Sequence, residues 1–205
     1  MNLKRRLMPK KPFQHKVHYE DQDAVQDITR NLTKLLPHAR PIVIVCIGTD
    51  RSTGDSLGPL VGSKLACKPS PHYDVYGTLE EPVHAVNLEE RMNEINERYE
   101  NPFIIGIDAC LGKLSSVGMV SLGDGPVKPG AAVKKQLPPV GDIHMTGIVN
   151  VSGFMEYFVL QNTRLNLVMK LADLISEGIY LSSLRVSFQN RTTERNYSAD
   201  LAELQ

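Results

Sequence analysis

Ile42-Val43-Ile44-Val45-Cys46-Ile47-Gly48-Thr49-Asp50-Arg51-Ser52-Thr53-Gly54-Asp55-Ser56-Leu57-Gly58-Pro59 is the stretch from which the architecture follows. Its first third is a continuous apolar run rich in β-branched residues, the composition of a strand covered on both faces, as in a parallel sheet. The run breaks at Gly48, and a polar loop carrying Asp50 and Asp55 follows. Gly58 and Pro59 then open a helix on which Leu57, Leu60, Val61 and Leu65 share one face. Ligands of open α/β sheets bind outside the carboxyl ends of the strands. The loop from Gly48 to Gly58 is therefore the first candidate site.

The same plan recurs further along the chain. Phe103-Ile104-Ile105-Gly106-Ile107 reads as a second buried strand, and it too ends on a carboxylate, Asp108. Asp74 to Thr78 and Val117 to Leu122 are weaker strand candidates. Apolar residues at helical spacing predict helices over Asp21 to Leu36, from Leu88 to Tyr99, over Val151 to Phe158 and over Leu165 to Ile175, the last stopping near Gly178. Helices alternating with buried strands make this an α/β protein, a three-layer α/β/α domain with a mainly parallel sheet and right-handed crossovers. The expected organisation is a flexible basic arm over 1–18, a single α/β domain over 19–186 and a polar tail over 187–205. Gly123 to Gly141, with four prolines and four glycines, is expected to be a long loop.

Composition narrows the function. Lys plus Arg and Asp plus Glu number 23 each in 205 residues, so no excess of positive charge points to direct nucleic-acid binding or to an anionic membrane. No run approaches the ~18 apolar residues needed to span a bilayer. The arm, with Lys4, Arg5, Arg6, Lys10, Lys11 and Lys16, lacks the apolar core of an export signal. A cytoplasmic protein is expected. Three widely spaced cysteines, Cys46, Cys67 and Cys110, form neither a disulfide framework nor a structural zinc motif.

The residues that can carry chemistry are few. If the two buried strands are neighbours, the loops after them bring Asp108 near Asp50 and Asp55. Two carboxylates at close range cannot both ionise easily, and such a split pair can activate water and polarise a carbonyl. The same acids can instead hold a metal ion. A blander reading stands beside these: Asp55 as a helix N-cap and Asp50 as the closer of a turn. His144 lies in a glycine-flanked segment before a predicted helix, and is the one histidine of six to draw a hypothesis. Cys110 offers a minor option as a nucleophile with His144. The loop from Gly48 matches neither the dinucleotide fingerprint nor a P-loop, and no nucleophile elbow surrounds Ser52 or Ser56.

The segments CIGTDRSTGDSLGPLVGSKL and IIGIDACLG resemble the two hallmark segments of the germination-protease and hydrogenase-maturation-protease superfamily. From about Pro41 to Gly178 the chain is most similar to the small spore-protease-related YyaC family of endospore-forming bacteria. The resemblance implies a hydrogenase-maturation-protease-like (phosphorylase/hydrolase-like) fold. It also implies a peptidase acting in sporulation or germination, in the cytoplasm of the sporulating cell or in the spore. Asp55 of Asp55-Ser56-Leu57-Gly58-Pro59 and Asp108 of Asp108-Ala109 match the two functional acids, and imply an aspartate dyad that activates water. Thr49, Asp50, Cys110 and His144 form the expected substrate-binding set. His144-Met145-Thr146-Gly147 resembles the third element of a nickel-sensing set, so the alternative is a metal-binding maturation-type protease in which Asp55, Asp108 and His144 hold a divalent ion such as nickel or zinc. The primary expectation is no cofactor. The expected substrate is a peptide or a small acid-soluble spore protein, with self-association into a homo-oligomer left open. A further alternative is a non-catalytic protein that keeps the cleft to bind a peptide or partner segment.

Overall fold

The structure, a computed structural model, describes residues 12–69, 72–130 and 137–203, the backbone alone over 190–203. The part of the expected basic arm over 1–11 and the part of the expected loop over 131–136 lie outside the described residues. In chain order the elements are β1 (Gln14–His18), α1 (Ala24–Thr33), β2 (Ile42–Cys46), α2 (Leu57–Ala66), β3 (Asp74–Tyr76), α3 (Leu88–Arg98), β4 (Phe103–Gly112), β5 (Met119–Asp124), β6 (Ile143–Val151), α4 (Glu156–Gln161) and α5 (Leu165–Glu203).

Six strands form one sheet in the order β1-β5-β6-β4-β2-β3. β3, β2, β4 and β6 run parallel, whereas β5 pairs antiparallel with both β6 and β1. The α/β reading, with a mainly parallel sheet between helical layers, holds. The reason lies in β2. Ile42, Ile44 and Cys46 point to a core shared with α1, α2 and α5, including Ile28, Leu57, Leu65 and Leu171. Val43, Val45 and the following Ile47 point to the opposite core, with Leu88 and Ile95 of α3 and with Val127 and Val140. A strand buried on both faces has no polar alternation, hence the continuous apolar run.

The same period of two places the chemistry. Phe103, Ile105 and Ile107 of β4 enter the first core, and Ile104 enters the second. Gly106 and Asp108 share the face of Ile104, because side chains alternate along a strand. Ile143, Met145 and Val149 of β6 enter the first core, which turns His144 and Thr146 to the face of Asp108. Among the described residues no helix is long and apolar enough to cross a membrane.

Four boundaries differ from expectation. Val151, expected to open a helix, is the last residue of β6, and the helix that follows spans Glu156–Gln161. Gln14–His18, expected within a flexible arm, is an edge strand in register with Met119–Gly123. Val17 alone of its residues is buried, and one apolar side chain among His, Lys and Gln carries no periodic signal. His144 lies within β6 and not in a loop before a helix, since Ile143–Val151 is strand throughout. The expected stop near Gly178 is passed by one helix running to Glu203, so that the backbone of the polar tail from 187 is helical as far as that residue. Gly178 sits where a β-carbon would meet Ile28 of α1, so it serves close helix packing and does not end the helix.

Candidate functional site

Because β2 and β4 are parallel neighbours, with Cys46 opposite Ile107, both strands end at the same edge of the sheet. Ile47 also bridges in parallel to Val83, which brings the turn after β3 to that edge. A cleft of about 640 Å³ opens there, lined among others by Gly48, Thr49, Arg51, Asp55, His84, Asp108, Cys110, His144, Thr146 and Tyr157. Its size falls within the roughly 300–1,000 Å³ of ligand pockets.

Asp55 reaches the cleft through a closed loop. Gly48 has φ +146°, and a β-carbon on it would collide with the Asp55 carbonyl. The same carbonyl accepts the Thr49 N–H at 3.2 Å. Gly58 lets the first turn of α2 lie directly on the Ile47 carbonyl. Asp55 is not the cap of α2: that position belongs to Ser56, and no side chain caps the helix. The carboxyl is thus left for other work.

Burial pushes the Asp55 carboxyl above its ordinary pKa, and the Thr49 backbone N–H and the charge of His84 act in the opposite sense. Asp108 is buried and displaced further: burial first, then the Asp55 charge, hold it well above the usual carboxylate range. The Ala109 N–H, which donates to Asp108 Oδ1 at 2.8 Å, offsets part of this. The pair is therefore unequal, with the proton favoured on Asp108 and the negative charge on Asp55. Among the described residues neither carboxyl is in an ion pair with Lys, Arg or His.

The remaining expected residues divide. Thr49 lines the cleft, and its Oγ1 accepts from Arg51 Nε at 3.3 Å. Cys110 lines it too, beside Thr146, but burial and the Asp108 charge raise its thiol pKa, so it is not poised as a nucleophile. His144 faces the cleft from β6, with Nδ1 2.9 Å from the Gly125 carbonyl. Asp50 is exposed on the loop and is not among the cleft-lining residues, because the loop turns it outward as it closes on Asp55. Asp55, Asp108 and His144 share the cleft, yet among the described residues no group of three or more His, Cys, Asp or Glu side chains is arranged to hold a metal ion.

His84 was invisible to sequence reasoning. The signal available is Val83, a lone buried apolar residue after a proline, which pairs with the end of β2 and delivers the next residue to the cleft.

Comparison with known proteins places these features in a family. The description "Protein of unknown function (DUF1256)" attaches to a family profile that matches residues 16–178. The "Uncharacterized protein YyaC" of Bacillus subtilis (strain 168) is 58% identical over 168 residues, 81% of this chain and 82% of that protein. Among solved structures, the NiFe hydrogenase maturation protease HycI from Thermococcus kodakarensis KOD1 superposes with a TM-score of 0.50 at 18% identity, covering 76% of this chain and 99% of that one. A structure titled as the Hydrogenase 3 Maturation protease matches at a TM-score of 0.42 and 16% identity, over 69% of this chain and 90% of that one. The fold is hydrogenase-maturation-protease-like, an α/β architecture. By the extent of the profile match and the identity to YyaC, the chain belongs to the DUF1256 family.

Proposed function

We propose that the cleft is hydrolytic and that the protein is a peptidase of the germination-protease type. The observation that carries this reading is the unequal acid pair in one cleft: burial and the Asp55 charge drive Asp108 strongly toward its protonated form, whereas Asp55, also raised by burial, is displaced less because Thr49 and His84 offset part of that rise. The Asp55 carboxylate takes a proton from water as the water oxygen bonds to the peptide carbonyl carbon. Protonated Asp108 donates a hydrogen bond to the oxygen on which negative charge develops. The tetrahedral adduct then collapses, the C–N bond breaks, and the amine leaves with the proton held by Asp55. Both carboxyls return to their starting states.

The substrate class is an extended peptide, and the resemblance to germination proteases supports small acid-soluble spore proteins and a place in sporulation or germination. Incubation of the purified protein with such proteins and with unfolded peptides, beside an Asp55→Asn variant, tests the reading by mass spectrometry of the fragments. Cleavage by the wild type alone is expected. No cleavage, or equal traces from both proteins, overturns it.

A further inference from the structure

The loop that carries Asp55 is held from two sides. On one side Gly48 and Thr49 close on the Asp55 carbonyl. On the other, Gly54, the residue before Asp55, donates its N–H to the Leu160 carbonyl of α4 at 2.8 Å. The approach is close: a β-carbon on Gly54 would stand 2.8 Å from Leu160 Cδ2, 2.9 Å from Thr163 Oγ1 and 3.0 Å from the Leu160 carbonyl oxygen. Only glycine lets the loop lie against the end of α4.

α4 has six residues, too few for a helix to hold by its own bonds, and Leu160 is its one buried side chain. Two polar side chains outside the helix add to that anchor. Thr163 is buried, and its hydroxyl donates to the Val159 carbonyl at 2.9 Å while accepting from Asn150 Nδ2 at 3.2 Å. The same Nδ2 lies 3.3 Å from the Val159 carbonyl. Asn150 Oδ1 accepts the Val151 N–H at 2.8 Å, which assigns the amide nitrogen to the α4 side. Asn150 belongs to β6, the neighbour of the strand that carries Asp108. A set of hydrogen bonds therefore leads from β6 through the end of α4 to the residue next to Asp55.

We propose that Asn150 and Thr163 are positioning residues for Asp55: they pin the end of α4 to β6, and α4, through Leu160, fixes Gly54 and with it the direction of the acid. Neither residue lines the cleft. The consequence for turnover rests on the hydrolytic reading; the anchoring of Gly54 does not. Tyr157 and Leu160 of α4 do line the cleft, so two effects have to be told apart. Lost substrate contacts raise KM at constant kcat, whereas a displaced Asp55 lowers kcat.

Amide hydrogen exchange followed by NMR on the full-length chain tests the anchoring without a substrate. The Gly54 N–H is expected to be protected in the wild type. In Thr163→Val, which keeps the shape and loses the hydroxyl, it should exchange about fivefold to tenfold faster, the weight of one hydrogen bond, and Thr163→Ser should restore protection. The Asp55 carboxyl carbon signal should move and return in the same two variants, while the β4 amides from Phe103 to Ile107 stay unchanged. Asn150→Ala should move both signals in the same direction, and it carries the test if valine at 163 prevents folding. In cleavage assays Thr163→Val should lower kcat about tenfold to hundredfold, the cost of a small misplacement, with KM little changed and most of the loss recovered by serine. A Gly54 amide that exchanges freely in the wild type, an Asp55 signal indifferent to both substitutions, no rescue by serine, or a raised KM at constant kcat overturns the proposal. If the exchange and carboxyl results appear in a protein that cleaves nothing, the hydrolytic reading falls and the positioning of Asp55 stands.

Discussion

Gly48 and Asp55 lock to each other across the loop that follows β2: the glycine adopts a φ of +146°, and only a hydrogen fits between its α-carbon and the Asp55 carbonyl. The neighbouring Thr49 N–H closes the same loop onto that carbonyl at 3.2 Å. Gly48→Ala must both leave a left-handed backbone and displace Asp55. The expected cost is about 1–3 kcal/mol of stability, measured by urea unfolding, together with loss of cleavage. A variant with wild-type stability and rate contradicts this account of the loop.

The two acids should not be equivalent to substitution. Asn at Asp55 cannot accept the proton of water, and Asp55→Asn is expected to lower kcat by roughly 10²–10⁴-fold, the range of general base catalysis. Asn at Asp108 keeps an N–H donor beside the developing oxyanion, so Asp108→Asn should lose less. Initial rates on one unfolded peptide decide between them, and the opposite order would exchange the assigned roles.

Stability should carry the mark of the raised carboxyls. Both Asp55 and Asp108 have folded-state pKa values above the unfolded ones. The sign is therefore unusual for aspartate: their contribution is fully present below the unfolded value of about 3.9 and is lost as pH rises through the folded value. Asp108→Asn removes the loss. The variant should melt above the wild type at neutral pH, with the gap closing as the pH falls toward about 4, in a series of thermal scans. A variant less stable than wild type by the same margin at every pH would refute the linkage.

Thiol reactivity should rank by environment. Cys67 is exposed, Cys110 is partly buried with its thiol pKa raised, and Cys46 is buried with its thiol pKa raised further. Since the thiolate is the reactive form, alkylation at mildly alkaline pH should label Cys67 first, Cys110 slowly and Cys46 only in denaturant. Peptide mapping at timed intervals checks the order. Early labelling of Cys46 would mean that the first core opens readily.

Much of this could be read before any coordinates. Ile42–Cys46 and the apolar part of β4 announce themselves because a strand buried twice must be apolar throughout, and the acids Asp55 and Asp108 stand where such strands stop. β6 escaped because Gly147, Asn150 and two polar residues facing the cleft interrupt its alternation, although Ile143, Met145 and Val149 keep it on the core side. β1 escaped for want of apolar residues, and α5 was cut short because a glycine at helical spacing reads as a stop until its packing partner, Ile28, is known. His84 could not be ranked above the other histidines without the pairing of Val83 with Ile47, a contact between distant segments that local pattern does not encode.

The pairing of β1 with β5 has a consequence for how the molecule assembles. Gln14–His18 precedes its partner Met119–Asp124 by about a hundred residues in the chain, and β5 itself pairs with β6, which ends at Val151. Contacts so distant in sequence bear a heavy loop-closure cost and form slowly. β2 and β4, whose registers require nothing beyond Gly112, can pair well before that. By this cost the first of the six strands in chain order is expected to be the last to pair, with the sheet growing outward from the strands that carry the acids.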